Sequence, residues 1–259
     1  MIAVVMPMFN HNEMTKQCVK DTMRNAGCDI DIIVVDDHSD IPFEFKHNRV
    51  QVLRLPKNVG YTNATNAGIL YCKDRYEFIH LQNNDIVPEP DYILKLWEVM
   101  RVCPEIGIAN SVRILPGHEP NNIEIQALDL LSGYQQMSDG TNLPDVIHVH
   151  WAPLVSSLVR METIRHIGLL DRKMHTYCSD NDYCMRTNLA DWQVSVVTGS
   201  RVVHNQGSSG GQSRERIAKD QLTLLDKISN KRYAEWMKMV PLDMGNRIYG
   251  KLEFVTEVR

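Results

Sequence analysis

Residues 76–85, YEFIHLQNND, contain the strand that decides the fold. The apolar half of this stretch, residues 78–81, predicts a buried strand, and it leads directly into the polar cluster at residues 82–85. In open α/β sheets, ligands bind outside the carboxyl ends of the strands. The stretch therefore predicts a ligand site around Asp85, and the other candidate residues are placed relative to it.

Buried strands alternate with helical segments throughout residues 1–103. Alternation at this spacing is typical of a parallel, doubly wound sheet with helices on its faces. Apolar runs predict strands at 2–6, 30–35, 50–55 and 76–81, and amphipathic patterns predict helices at 12–26, 63–71 and 92–103.

The pattern is less regular after residue 103. We expect strands at 106–115, 147–159, 194–197 and 202–204, helices at 161–167 and 180–189, and a long helical stretch at 214–239. The predicted fold class is α/β, with a Rossmann-like, mostly parallel central sheet flanked by helices. We divide it into a domain at 1–212, with a first half at 1–103 and a second half at 104–212, and a C-terminal helical extension at 213–259.

Composition narrows the functional classes. The chain has 259 residues, 43% hydrophobic and 23% charged, which is ordinary for a globular protein. A formal net charge of −4 gives no reason to expect nucleic acid or an anionic membrane as partner. No apolar stretch is long enough to cross a bilayer, no signal peptide is evident, and the six cysteines form no CxxC pair. We therefore expect a cytoplasmic protein, and leave peripheral attachment to a membrane surface open.

Three acidic or amide clusters follow predicted strands, at 36–37, 83–85 and 180–182. Such oxygen ligands suit Mg²⁺ or Mn²⁺. For a single cluster, a loop rich in turn-forming residues is the simpler interpretation. Three clusters at strand ends favour a binding site. The sequence has neither a GxxxxGK[ST] loop nor a GxGxxG fingerprint, which argues against a P-loop kinase and a dinucleotide-dependent dehydrogenase.

Taken together, seven blocks of sequence resemble family 2 glycosyltransferases with the GT-A fold. The resemblance covers roughly residues 2–210, and the blocks occur in the order and at about the spacing of that family. They are VVMPMFN at 4–10, VVDDHSD at 34–40, NVGYTNATNAGI at 58–69, FIHLQNNDIVPEPDYI at 78–93, WAPLVSSLVRMETIRHIGLLD at 151–171, YCSDNDYCMRTNLADWQVSVV at 177–197 and VVHNQGSS at 202–209.

The resemblance implies that residues 1–103 are the nucleotide-binding half of the domain and residues 104–212 its acceptor and catalytic half. It also implies a nucleotide-sugar site at the carboxyl edge of the sheet. The turn after the first strand and the acidic pair after the second would hold the nucleoside, and the helix that starts after residue 58 would lie beside the diphosphate. Trp151 would line the donor-sugar and acceptor cleft, although core packing explains a tryptophan equally well. The implied nucleotide-sugar-binding residues are Pro7, Phe9, Asn10, Asp36, Asp37, Asn58, Gly60, Asn63, Asn66, Asn83, Asn84 and Trp151.

The resemblance also implies a divalent cation, Mn²⁺ or Mg²⁺, and a catalytic base. Residues 83–85 match the family's DxD element, so Asp85 would bind the metal that bridges the diphosphate. His204 corresponds to a histidine that supplies a further metal ligand in metal-dependent members. Asp180 matches the aspartate that acts as catalytic base.

The chain departs from the family pattern at two positions. Asn83 replaces the first acid of the DxD element, and it can offer the metal only a neutral oxygen. Ser179 stands before Asp180 where many relatives carry Glu, which leaves open whether Asp182 shares the acid and base work.

The implied function is an inverting, metal-dependent glycosyl transfer from a nucleotide-diphosphate sugar to a hydroxyl acceptor. The acceptor could be a polysaccharide, a glycolipid or another hydroxyl compound; a modified nucleic acid is not favoured. A sugar-1-phosphate nucleotidyltransferase is an alternative, but the chain lacks a GxGxR-like loop after the first strand. A non-catalytic nucleotide-sugar-binding module is another, favoured only if the two replacements mark decay. Basic residues outnumber acidic ones in 214–238, which indicates a solvated helix face or, alternatively, a surface for a polyanionic acceptor.

Overall fold

The structure is a computed structural model that describes residues 1–114, 144–149, 151–205 and 214–228, together with the backbone of three short strands after residue 241. The predicted loop at 205–213 lies outside the described residues except for Asn205, as do residues 115–143 and 229–241.

The first half of the chain forms the predicted alternation of strands and helices. All seven residues of the first strand are buried, as expected for a strand covered on both faces. The short strand after Asp85 was not predicted. The elements are β1 (Ile2–Met8), α1 (Asn12–Asn25), β2 (Ile30–Asp36), β3 (Val50–Arg54), α2 (Tyr61–Cys72), β4 (Phe78–Gln82), β5 (Ile86–Pro88) and α3 (Tyr92–Val102).

The second half differs from the prediction at two places. The stretch predicted as strand-like at 147–159 is two strands separated by a turn. The two short strands predicted at 194–197 and 202–204 are one long strand, and its residues 198–200 lie in a register shift in the pairing with the neighbouring parallel strand. The elements are β6 (Ile106–Ile114), β7 (Val146–Val149), β8 (Ser156–Arg160), α4 (Met161–Ile167), α5 (Ser179–Leu189), β9 (Gln193–His204) and α6 (Arg214–Ile228).

One mixed sheet runs through the molecule in the order β12-β7-β9-β6-β8-β4-β1-β2-β3, where β12 is the strand Glu253–Val255, and β5 pairs with β9 beside this path. Strands β1 to β4 are parallel to one another, which confirms the doubly wound half. Among the described strands of the other half, only β6 and β9 run parallel to each other, and β8 lies antiparallel between β4 and β6. The prediction of a mostly parallel sheet therefore holds for residues 1–103 and not for the whole sheet.

The sheet separates two hydrophobic cores. On one face, Val5 and Val35 pack with α2, α4 and α5, and on the other face Val4 and Met6 pack with α1 and α3. Because side chains alternate along a strand, the neighbours Val4 and Val5 enter different cores. The carboxyl ends of β1, β2 and β4 are left at one edge, between the helix layers.

The C-terminal region is only partly helical. Helix α6 confirms the start of the predicted helical stretch, but three short strands follow: β10 (Leu242–Asp243), β11 (Arg247–Ile248) and β12 (Glu253–Val255). Strand β12 pairs antiparallel with β7 and so extends the central sheet. The predicted helical extension at 213–259 thus contains strands as well as a helix. None of the six cysteines forms a disulfide, and within the described residues no helix has the length and apolar character needed to cross a membrane.

Candidate functional site

Three side chains meet at the end of β4. The Nε2 atom of His204 lies 3.2 Å from Asp85 Oδ1 and 3.2 Å from Asn83 Nδ2. Both Asp85 and His204 are almost completely buried, with 4% and 6% of their surfaces exposed. The structure therefore brings together the two predicted metal ligands, and it places the unusual asparagine of the DxD-like element beside them.

The pairing of β5 with β9 explains why residues so far apart in sequence meet. Ile86 lies opposite His204 in this antiparallel pair, and the backbone N–H of Asn205 donates to the carbonyl of Asp85 at 3.0 Å. The chain turns sharply after β4, so Asp85 precedes β5 while His204 ends β9. Asn84 points elsewhere, because its amide donates to Thr15 Oγ1 on α1 at 2.9 Å.

The side chains at this edge are chemically suited to Mn²⁺ or Mg²⁺ only in company with other ligands. A carboxylate, an imidazole nitrogen and an amide oxygen are acceptable ligands for Mn²⁺. Within the described part of the chain, however, no group of three or more His, Cys, Asp or Glu side chains is arranged to hold a metal. Asp85 and His204 thus fit a cation whose remaining ligands come from a bound phosphate compound.

Asp180 lies at the start of α5, on the α2 side of the sheet. It is partly buried, and its Oδ1 accepts a hydrogen bond from the backbone N–H of Asn181 at 2.9 Å. In the amide orientation that satisfies both ends of Asn181, this side chain also donates to Asp180 Oδ1 at 3.1 Å and accepts from Trp151 Nε1 at 3.0 Å. The predicted base and the predicted cleft tryptophan are therefore linked through Asn181.

Burial raises the pKa of Asp180, and the hydrogen bond from Asn181 and the charge of Arg113 offset this effect only in part. A carboxylate with a raised pKa is a stronger base than an exposed aspartate. Burial also raises the pKa of the phenol of Tyr61, the first residue of α2, and the charges of Asp180 and Asp85 raise it further.

Asp182 occupies a different environment from Asp180. Its side chain is fully buried, with Oδ2 accepting from Arg186 Nε at 2.9 Å and Oδ1 accepting from Lys227 Nζ at 2.7 Å. Arg186 also donates to the carbonyls of Ile167 and Leu169. Both oxygens of the Asp182 carboxylate are therefore engaged by cationic side chains, unlike those of Asp180.

The two acids after β2 are used to order loops. Asp36 is fully buried, and its carboxylate accepts from the backbone N–H groups of Ser39 and Phe43 and from Arg54. Burial alone would raise the pKa of Asp36, but these hydrogen bonds outweigh it and lower the pKa. Asp37 accepts from the N–H groups of Val59 and Gly60 at 2.7 and 2.8 Å. The prediction that both acids contact the nucleoside did not anticipate these internal partners.

The turn after β1 presents an aromatic ring to solvent. Phe9 is 41% exposed although it follows a fully buried strand, whereas Pro7 is buried within β1 opposite Val35. Asn10 adopts a left-handed conformation (φ 57°), and its N–H donates to Ser39 Oγ at 2.7 Å. Phe9 is therefore the residue of this turn that is available for a ligand.

A pocket of about 530 Å³ lies at the start of α2. Two predicted residues line it, Asn58 and Asn63, together with three basic residues that sequence reasoning missed. These are Lys57, Arg172 and His175. No carboxylate lines the pocket, so its lining favours an anionic or strongly polar ligand group. The signal for Arg172 and His175 was weak, because they lie in an irregular segment more than a hundred residues from Asn58.

Gly60 and Asn66 have packing roles in α2. Gly60 has φ 84°, and a Cβ there would lie 2.4 Å from the imidazole of His175, so both the conformation and the contact require glycine. Asn66 is buried, and its amide pairs with both the N–H and the carbonyl of Leu170. Asn66 therefore fastens α2 to the segment that follows α4, and it is not among the residues that line this pocket.

Comparison with solved structures identifies the fold. The chain is similar to the crystal structure of GalNAc-T7 with UDP, GalNAc and Mn²⁺, with a TM-score of 0.68 over 89% of this chain and 48% of that chain. At 11% sequence identity this likeness concerns the fold alone, which is the GT-A fold. The chain thus spans about half the length of that protein.

Sequence comparison identifies the family. Glycosyltransferase GlyG of Streptococcus pneumoniae serotype 4 is 33% identical over 96 residues, which is 34% of this chain and 32% of that protein. The sequence model of Glycosyl transferase family 2 matches residues 3–158, well over half of the chain and including β1 to β8. The chain therefore belongs to glycosyl transferase family 2.

Proposed function

We propose that this protein is an inverting, divalent-metal-dependent glycosyltransferase that moves a sugar from a nucleotide-diphosphate sugar to a hydroxyl acceptor. The observation that carries the proposal is the meeting of Asp85, His204 and Asn83 at the end of β4. These side chains offer a binding position for a cation and the leaving diphosphate. Family membership and the GT-A fold support the same reaction class.

Asp85 and His204 would hold Mn²⁺ or Mg²⁺ together with the diphosphate oxygens of the donor. When bound, the cation neutralises the charge that develops on the leaving nucleoside diphosphate. Asn83 adds a neutral ligand at most, so metal affinity depends on the donor. We expect weak metal binding by the protein alone and much tighter binding in the presence of a nucleoside diphosphate.

Asp180 is the proposed general base. Its Oδ atoms accept the proton of the acceptor hydroxyl while that oxygen attacks the anomeric carbon, and the diphosphate leaves from the opposite face, which inverts the configuration. The raised pKa of Asp180 suits it to this transfer. Trp151, joined to Asp180 through Asn181, would line the acceptor cleft. We assign Asp182 to holding α5 in place, because its carboxylate already pairs with Arg186 and Lys227.

Phe9 is the proposed stacking surface for the nucleobase. An exposed aromatic ring at the carboxyl edge of a sheet gives a flat apolar face that any base can use. Asp36 and Asp37 would support this site indirectly by ordering the loops at 39–43 and 59–60.

The test is a donor panel. Purified protein is incubated with UDP-, GDP- and other nucleotide sugars in the presence of Mn²⁺, and the release of nucleoside diphosphate is measured. We expect slow, metal-dependent hydrolysis of one donor even without acceptor. Release of pyrophosphate from a nucleoside triphosphate and a sugar phosphate would identify a nucleotidyltransferase instead. Binding of a nucleotide sugar without any turnover, with or without candidate acceptors, would identify a non-catalytic module.

A further inference from the structure

Helix α6 packs against the segment that leads to Asp180. Asp220, near the middle of this helix, is 1% exposed, and its carboxylate accepts three successive backbone N–H groups. Oδ1 accepts from His175, and Oδ2 accepts from Thr176 and Tyr177, each at 2.9 Å. A buried carboxylate with three backbone donors is a strong, specific anchor because each of these hydrogen bonds is charge-assisted.

A second anchor lies two turns further along the same helix. Lys227 Nζ binds Asp182 at 2.7 Å and also forms an ion pair with Asp171. Partial burial by itself would lower the pKa of Lys227, but the two carboxylates outweigh it and raise the pKa. Residues seven apart lie on one face of a helix, so Asp220 and Lys227 act from the same side of α6.

The anchored segment has little regular structure of its own. Residues 168–178 connect α4 to α5 through turns and bends, and Cys178 enters α5 with φ 62°. The same segment also contacts the donor side, because the carbonyl of His175 accepts from Thr62 and its imidazole packs on Gly60. Fixing such residues costs conformational entropy, so an irregular segment needs external contacts to hold one geometry.

We propose that Asp220 and Lys227 are positioning residues for catalysis, and that α6 is a required part of the catalytic unit and not a separate extension. They would fix the segment at 171–182 so that Asp180 faces the anomeric carbon while the segment also covers the start of α2. This inference rests on the proposed function. Neither side chain touches the donor or the metal in this scheme, so each acts on the rate and not on donor affinity.

The experiment uses the full-length protein with Asp220→Asn and Asp220→Ala, and with Glu215→Ala as control because Glu215 is an exposed acid on the same helix. Lys227→Met is compared with Lys20→Met, an exposed lysine on α1. For each variant we measure kcat for donor hydrolysis, the Kd of the matching nucleoside diphosphate with Mn²⁺, and amide hydrogen exchange at residues 175–177.

We expect Asp220→Ala and Lys227→Met to lower kcat about 10–100-fold, as a small misplacement of a catalytic group does, with Kd within about twofold of wild type. Asp220→Asn removes the charge and puts an amide NH₂ where an acceptor is needed, so we expect it to lower kcat and to speed exchange at 175–177 about tenfold or more. The two controls should match wild type.

Wild-type kcat in Asp220→Asn and Lys227→Met would overturn the proposal, as would unchanged exchange at residues 175–177 in Asp220→Asn. A fall in kcat together with a large rise in Kd would also overturn it, since that pattern marks general unfolding. If the wild-type protein hydrolyses no donor, the proposed function fails. The exchange measurement then still decides whether Asp220 holds the segment.

Discussion

Replacing Asp180 with asparagine is the most informative single change. Asparagine keeps the size of the side chain and the oxygen that accepts from the N–H of Asn181, so the start of α5 should keep its geometry. It removes the carboxylate that we propose takes the proton from the hydroxyl of the acceptor. General-base assistance is worth about 10²–10⁴ in rate, so we expect kcat to fall by that factor, equivalent to about 2.7–5.4 kcal/mol in activation free energy.

The same change should not destabilise the fold. Because burial raises the pKa of Asp180, the ionised carboxylate is less favourable in the folded protein than in the unfolded chain at neutral pH. A neutral amide removes that cost, so the free energy of unfolding should stay the same or rise. A loss of rate without a loss of stability is the pattern of a catalytic group and not of a packing residue.

The assay is the initial rate of nucleoside diphosphate release at saturating donor, with Kd from calorimetry and Tm from thermal unfolding. Asp74→Asn serves as the control, because Asp74 is exposed just beyond the far end of α2. Near wild-type kcat in Asp180→Asn would refute the assignment of the base. A large rise in Kd would show instead that Asp180 binds the donor.

Three further changes test the rest of the site. Asp85→Ala should weaken nucleoside diphosphate binding with Mn²⁺ about 30-fold or more, since loss of a buried charged partner costs about 2 kcal/mol or more, and calorimetry showing equal affinity would contradict this. Phe9→Ala should cost about 1 kcal/mol of nucleotide affinity with kcat unchanged, and an unaltered Kd would exclude stacking on this ring. Asp182→Asn should lower the free energy of unfolding by about 1.5–3 kcal/mol, measured in urea, because Arg186 and Lys227 each lose a charged partner, and it should lower kcat no more than the roughly 10–100-fold expected of Lys227→Met; a larger loss of kcat in a fully stable variant would instead indicate a share in the chemistry. In wild type, kcat should fall with decreasing pH as Asp180 takes up a proton, with an apparent pKa above the ordinary aspartate value of 3.8; an acid limb at or below that value would argue against a raised pKa.

The parallel half of the fold, and the position of Asp85 at the carboxyl edge of its sheet, could be predicted because their signals are local. Buried apolar runs mark β1, β2 and β4, and the polar residues that follow parallel strands must share one edge of the sheet. Asp85 was placed at that edge from its own strand. His204 came from the family pattern, and the structure supplies the physical reason, which is the pairing of Ile86 with His204.

The partners of buried charges could not be predicted in the same way. The carboxylate of Asp36 accepts hydrogen bonds from three donors within the protein. Nothing in the local sequence distinguishes it from an aspartate that binds a ligand. Likewise, Asp180 and Asp182 are two residues apart in one helix, and they differ because Asp182 pairs with Arg186 of the same helix and with Lys227 of α6. Lys227 reaches Asp182 across 45 positions of sequence, a contact that depends on tertiary structure and not on any motif.

The antiparallel insertion of β8 is another long-range feature. The first four residues of strand β8 are buried although two of them are serines, and the place of the strand between β4 and β6 depends on the order of the whole sheet. That place brings the turn before Ser156 toward the end of β4, where the N–H of Asn83 donates to the carbonyl of Val155 at 2.9 Å. The insertion thus brings this turn against Asn83, which lies beside His204 and Asp85.

The most direct test of the account is the configuration of the sugar released from the donor. Wild-type protein, Mn²⁺ and the donor identified by the panel are mixed, and the anomeric proton of the product is followed by NMR before the free sugar equilibrates. The account predicts nucleoside diphosphate together with a sugar of inverted configuration, and no product from Asp180→Asn. A product of retained configuration, or cleavage that is undiminished in Asp180→Asn, would contradict it.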